Sequence, residues 1–188
     1  ITIICILVVL GAGSAAFATT THHVWYFDTD DPMPLPDVVN NGPGIMDGRL
    51  MVTPGPGGGW VDGAWELSGE IDILLDNDDK PRDEKIIHLE LMWAPGTLDS
   101  FLPTQPLVGV SAIPMDSMEM TVVHDPLAGS AWTLSIYDII IRPNPPEEWI
   151  AIKGNIIVDK VDISTICIPE PATMGLLGLG SLALLRNR

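Results

Sequence analysis

Four oxygen-bearing side chains stand in succession at Asp76, Asn77, Asp78 and Asp79, just before Lys80-Pro81. Hard oxygen ligands on a loop suit Ca²⁺, which takes about six to eight of them. The spacing is not that of an EF-hand, because the loop glycine and the later glutamate are absent. A second acidic group, Asp28, Asp30 and Asp31, lies at the end of the first strand-like run, His22–Asp28. Both are calcium candidates, against the alternative of solvated turns, which are rich in Asp and Asn for conformational reasons alone. Tryptophan offers a second chemistry. An exposed indole on a sheet can stack on a sugar ring. Trp60 beside a Gly-rich run and Trp149 after a Pro-rich one are the surface candidates, whereas Trp93 and Trp132 alternate in phase with apolar residues and are assigned to the core.

Carboxylates offer a third. Glu66, Glu70 and Glu90 lie on or near strand-like stretches, and a glycoside hydrolase would use two such groups across a groove. In so acidic a chain, composition alone supplies such pairs. The histidines make a poor metal set. His22 and His23 are adjacent and would point to opposite faces of a strand near a loose chain end. His88 and His124 have no second ligand at zinc spacing. Neither a Gly-x-Ser-x-Gly elbow nor a phosphate-binding glycine loop is present. No catalytic residue is assigned, no resident cofactor is expected, and Ca²⁺ is the one ligand ion considered.

These groups must be carried by strands. Ile71, Ile73 and Leu75 alternate with other residues, as do Ile87, Leu89, Leu91 and Trp93. Met118, Met120 and Val122 repeat the pattern, as do Trp132, Leu134 and Ile136. His22–Asp28, Trp149–Lys153 and Asn155–Ile163 complete it. Alternation of this kind puts one face of each strand toward a core. Proline and glycine clusters at 32–36, 54–59 and 143–146 interrupt the runs. About eight or nine short strands predict an all-β fold, an antiparallel two-sheet β-sandwich of jelly-roll type.

Charge narrows the partners. The chain has 25 acidic against 9 basic residues, a net charge of −16. Phosphate contacts need clustered Lys and Arg, so nucleic acid and anionic lipid are excluded as ligands of the body.

The two ends read differently from the body. Ile3–Leu10 is an apolar run, and Ala16-Phe17-Ala18 supplies the small-x-small pattern of a signal-peptidase site, with cleavage expected after Ala18. No basic segment precedes the run, so the start of this signal is expected to lie before Ile1. Cys5 departs with it. Cys167 then remains for the exported chain, either as a small apolar residue closing the last strand or as a site of modification.

At the other end, Pro169-Glu170-Pro171 precedes the uncharged run Ala172–Leu185 and the terminal Arg186-Asn187-Arg188. A helix over that run would span roughly 21 Å, short of the roughly 30 Å apolar core of a bilayer. Snorkelling arginines shorten the requirement. A buried C-terminal helix is the alternative.

In its order of parts this tail resembles the PEP-CTERM sorting tail of exported proteins in Gram-negative bacteria. The resemblance covers residues 169–188. It implies that Pro169, Glu170 and Pro171 are the recognition motif of a membrane protease, an exosortase. It further implies that 172–185 is a transient membrane-spanning helix and that Arg186 and Arg188 are its cytoplasmic stop.

The resulting organisation is a signal peptide at 1–18, a β-sandwich at 19–166 and a sorting tail at 167–188. The expected partners are signal peptidase and an exosortase-type protease, with polysaccharide as a possible ligand and the membrane touched only through the tail. Three functions stay open. One is a structural or adhesive protein of the cell surface or extracellular matrix. Another is a carbohydrate-binding module, with or without calcium. The last is a glycoside hydrolase built on paired carboxylates.

Overall fold

A computed structural model describes residues 18–42, 45–77 and 83–168. The described residues form twelve strands. They are β1 (Thr19–Tyr26), β2 (Val38–Asn41), β3 (Arg49–Thr53), β4 (Gly59–Val61), β5 (Ala64–Leu67) and β6 (Glu70–Asp76). The second half holds β7 (Glu84–Pro95), β8 (Leu107–Ala112), β9 (Ser117–Pro126), β10 (Thr133–Arg142), β11 (Glu147–Lys153) and β12 (Ile156–Ile168). The expected C-terminal helix falls outside the described residues.

Two antiparallel sheets result, as the alternation predicts. The larger has the order β2-β1-β12-β7-β10-β9, with β5 also pairing β12 and β4 pairing β5. The smaller has the order β3-β6-β11-β8. β12 organises the large sheet. One edge of it pairs β7 from Ile156 to Ile168, while β5 and β1 share the other edge in succession.

The core lies between the sheets. Ile71, Ile73 and Leu75 of β6 and Ile150 and Ile152 of β11 face Ile87, Leu89 and Leu91 of β7 and Val161 and Ile163 of β12. Each carries a strand-favouring or strongly apolar side chain on one parity of its strand, so burial and register reinforce each other.

Three expectations need correction. On β10 the buried parity is Ser135, Tyr137, Ile139 and Ile141, leaving Leu134 and Ile136 half-buried on the outer face. Trp132, expected in the core, is half-buried as well. β10 is apolar on both faces, and the isoleucines beyond Tyr137 settle which one turns inward. The His22-His23 segment is held firmly rather than loosely, because β1 pairs on both sides, with β2 and with β12. On β9, Met118, Met120 and Val122 do have the inward parity, opposite Ile141, Ile139 and Tyr137. They nonetheless stay exposed, because β9 is the edge of the larger sheet and the four-stranded sheet does not reach over it.

Candidate functional site

Three polar groupings are assembled by this framework, and the most enclosed of them sits inside the sandwich. Lys85 enters from β7 on the same parity as Ile87 and Leu89. Glu148 enters from β11 on the same parity as Ile150 and Ile152. Both are fully buried, at 0 % exposure. Asn77, immediately after β6, turns its side chain in between them.

Lys85 Nζ donates to Glu148 Oε1 and to Asn77 Oδ1. Asn77 Nδ2 donates to Glu148 Oε2 at 2.8 Å and to the Pro145 carbonyl. Cys167 Sγ donates to Asn77 Oδ1 at 3.7 Å. The segment 143–146 roofs the cluster, with Asn77 N–H bonded to Pro146 O at 3.0 Å. Burial pushes the Glu148 carboxyl above the ordinary carboxylate range, against the opposing pull of Lys85 and Asn77. A buried pair of this kind survives only with further hydrogen bonds, and here Asn77 supplies one to each partner, accepting from Lys85 and donating to Glu148.

A second grouping lies on the outer face of the large sheet. Asp138, His88, Ser164, His22 and Asn40 stand in register across β10, β7, β12, β1 and β2. His88 Nδ1 is 2.7 Å from Asp138 Oδ1, and its Nε2 is 3.4 Å from Glu90 Oε1. His22 Nε2 is 2.8 Å from Asp162 Oδ1. The hydrogen bond to Asp138 raises the His88 pKa, with Glu90 adding to it and burial opposing. All of these groups keep contact with water.

The third is a shallow groove on the outer face of the small sheet. Trp149 of β11, 44 % exposed, stands in register with Ser111 of β8 and Leu74 of β6. Asp72, Gly109, Ala151 and Lys153 also line it. Gly109 keeps the floor open, since a Cβ there would meet nothing within 4 Å. Lys153 is held by Glu70 at 2.7 Å. Partial burial and the nearby Glu70 raise the Asp72 pKa, and Lys153 opposes them. An indole face beside ionic and hydroxyl groups is the arrangement a sugar ring can use.

The sequence-predicted residues distribute unevenly over these places. Trp149 is in the groove. Trp60 is 36 % exposed on β4, in the other sheet from Trp149, and donates its Nε1–H to Phe27 O at 2.8 Å. Asp76 ends β6, and one of its oxygens is buried without a partner. Asn77 is committed to the interior cluster, while Asp78 and Asp79 lie outside the described residues. Asp31 Oδ1 accepts the Met33 N–H at 2.9 Å, within its own turn. Among the described residues, no three of His, Cys, Asp and Glu gather to hold a metal ion.

The three glutamates are not brought together. Glu70 is on the outer face of the small sheet. Glu66 and Glu90 are on that of the large one, opposite Ile157 and Asp162 of β12. With the β12 bulge between Val158 and Lys160 allowed for, that offset is four residues of β7, roughly 13 Å, beyond the reach of a glycosidase pair. Glu66 is occupied by the Thr97 N–H and hydroxyl at 2.8 and 2.7 Å.

Sequence reasoning missed the interior cluster, though a signal for it exists. Lys85 and Glu148 are opposite charges on the apolar parity of two different strands.

The chain leaves the sandwich beside this cluster. Cys167 pairs Lys85 and Ile168 pairs Glu84, so β12 ends where β7 begins. Residues 168–188 match the PEP-CTERM protein-sorting motif. The match includes the expected recognition residues Pro169, Glu170 and Pro171 and the basic stop Arg186 and Arg188, all outside the described residues. No other family matches the body. No curated protein and no solved structure matches the chain. The PEP-CTERM motif marks an exported protein sorted by exosortase-type machinery, with transient anchoring in the membrane. Of the proposed signal-peptidase site, Ala16 is outside the described residues and Ala18 is exposed just before β1.

Proposed function

We propose that the sandwich is a structural component of the cell surface or extracellular matrix, presented through its PEP-CTERM tail. The observation that carries this reading is the junction. The sorting motif begins at residue 168, where β12 ends, and β12 pairs on both edges within the large sheet. The end by which the domain is sorted is therefore the end of a strand paired on both edges. Load on that end is delivered to the β12–β7 ladder, which suits a load-bearing module. Deleting residues 169–188 is expected to release the protein or strand it in the periplasm. Unchanged localisation in the native host, scored by fractionation, refutes the route.

A second reading, glycan binding, is favoured by the Trp149 groove. Under it, the small sheet's outer face holds a polysaccharide against the indole, with Asp72, Ser111 and Lys153 meeting its hydroxyls. Retention on polysaccharide that is lost in Trp149→Ala, with the fold intact by circular dichroism, supports this reading. Retention that survives the substitution removes it.

A further inference from the structure

One carboxyl group, that of Glu148, touches both nitrogens needed for an acyl transfer. Its Oε1 accepts from Lys85 Nζ, and its Oε2 lies 2.8 Å from Asn77 Nδ2. Lys85 Nζ also contacts the Asn77 side-chain carbonyl through Oδ1, which places the nitrogen beside the carbon bearing that oxygen. We propose that Lys85 and Asn77 become joined in the folded protein by an intramolecular amide bond, with Glu148 as the proton relay.

The step balances without a co-reactant. Proton transfer from the lysine ammonium to the Glu148 carboxylate yields a neutral amine and a carboxylic acid. The Nζ lone pair adds to Asn77 Cγ and forms the new C–N bond. Glu148 takes a proton from Nζ through one oxygen and delivers one to Nδ2 through the other. The Cγ–Nδ2 bond breaks, the carbonyl re-forms and ammonia leaves. Nothing is oxidised or reduced. Glu148 is left as the carboxylic acid and returns to the carboxylate when ammonia takes that proton and departs as ammonium.

Three properties of the cluster serve this chemistry. Water is excluded from the reacting groups, since Lys85 and Glu148 are fully buried. Burial pushes the Glu148 carboxyl upward, which favours its taking a proton. Cys167 Sγ, 3.7 Å from the Asn77 carbonyl oxygen and 3.8 Å from Asn144 Oδ1, has one S–H to share between them and is a weak donor to the negative charge that develops on the former. Finally, the reactants come from β7 and from the end of β6, and the relay from β11, so folding itself brings them together.

The product would tie the two sheets covalently. β6 and β11 belong to the small sheet and β7 to the large one. The staple would sit beside Cys167, where β12 passes to the sorting motif. It rests on the geometry of the cluster alone and not on the proposed surface role.

Mass spectrometry of the full chain tests it. The folded wild type is expected to weigh one ammonia less than its sequence. Trypsin should leave the peptide ending at Arg82, which holds Asn77, linked through Lys85 to the segment that follows. Lys85→Met should carry no loss, and Glu148→Gln should form the link about 10²- to 10⁴-fold more slowly. A folded wild type without the linked peptide overturns the proposal. So does an ammonia loss that persists in Lys85→Met, which would mark ring closure of Asn77 onto its own backbone. The wild-type peptide decides the matter even if both variants fail to fold.

Discussion

Strand β7 carries acid–base pairs on both of its faces, and the two faces treat them in opposite ways. On the inner face Lys85 meets Glu148 and Asn77 with water excluded. On the outer face His88 meets Asp138 and Glu90 with the side chains still wet. The residues are alike in kind, and their geometries are similarly close. What differs is the medium. Inside, an unpaired charge is costly and proton positions become chemically consequential. Outside, water and salt screen the same contacts to a few tenths of a kcal/mol.

The largest test of this contrast is to break one partner on each face. Glu148→Ala leaves the Lys85 amine buried without its carboxylate and should destabilise the fold by about 3–5 kcal/mol in denaturant unfolding. Asp138→Ala should cost less than about 1 kcal/mol. Equal costs would erase the distinction between the faces.

The histidines sharpen it through pH. His23 is buried, stacked on Trp25 and accepting the Gly48 N–H at 2.9 Å, and burial lowers its pKa below the ordinary 6.5. A histidine depressed by folding contributes its full stability above the unfolded pKa and loses it as pH falls toward the folded value. His88 is raised above 6.5, so its contribution is full below that value and is lost as pH rises through its folded pKa. His23→Gln should therefore flatten the acid side of the stability profile, and His88→Gln the side above 6.5. The slopes are the readout, because His23→Gln also perturbs the bond to Gly48. NMR titration showing His23 protonating above His88 would invert the assignment.

Smaller effects concern the surface. Trp149→Ala should change stability by no more than about 0.5 kcal/mol, because the indole is 44 % exposed. Any glycan retention should nevertheless vanish with it. Loss of retention in Trp60→Ala alone would move the proposed surface to the other sheet. Calcium is expected to have the least effect. Asn77 Oδ1 is engaged by Lys85, so this side chain of the 76–79 run is committed to the interior and not to an ion that takes about six to eight oxygens. A melting temperature that rises at sub-millimolar Ca²⁺ would restore the site.

Much of the framework was legible because alternation is a local property. Ile71, Ile73 and Leu75, and the run from Ile87 to Trp93, each offer one continuous apolar face, and each is buried on that face. β10 was misread because Leu134 and Ile136 compete with Tyr137, Ile139 and Ile141, and a two-residue period cannot choose between two apolar faces. The exposure of β9 was equally hidden. Its Met118, Met120 and Val122 have core parity, but only the width of the opposite sheet determines whether anything covers them.

By itself the sequence determined the strand-forming period, the acidic character and the sorting motif, since each resides in neighbouring residues. Tertiary structure alone decided that Lys85, Asn77 and Glu148 meet. They come from two sheets and are separated by up to 71 positions. The contact among them exists only because the packed core closes over that end of the sandwich and removes the water that would otherwise keep them apart.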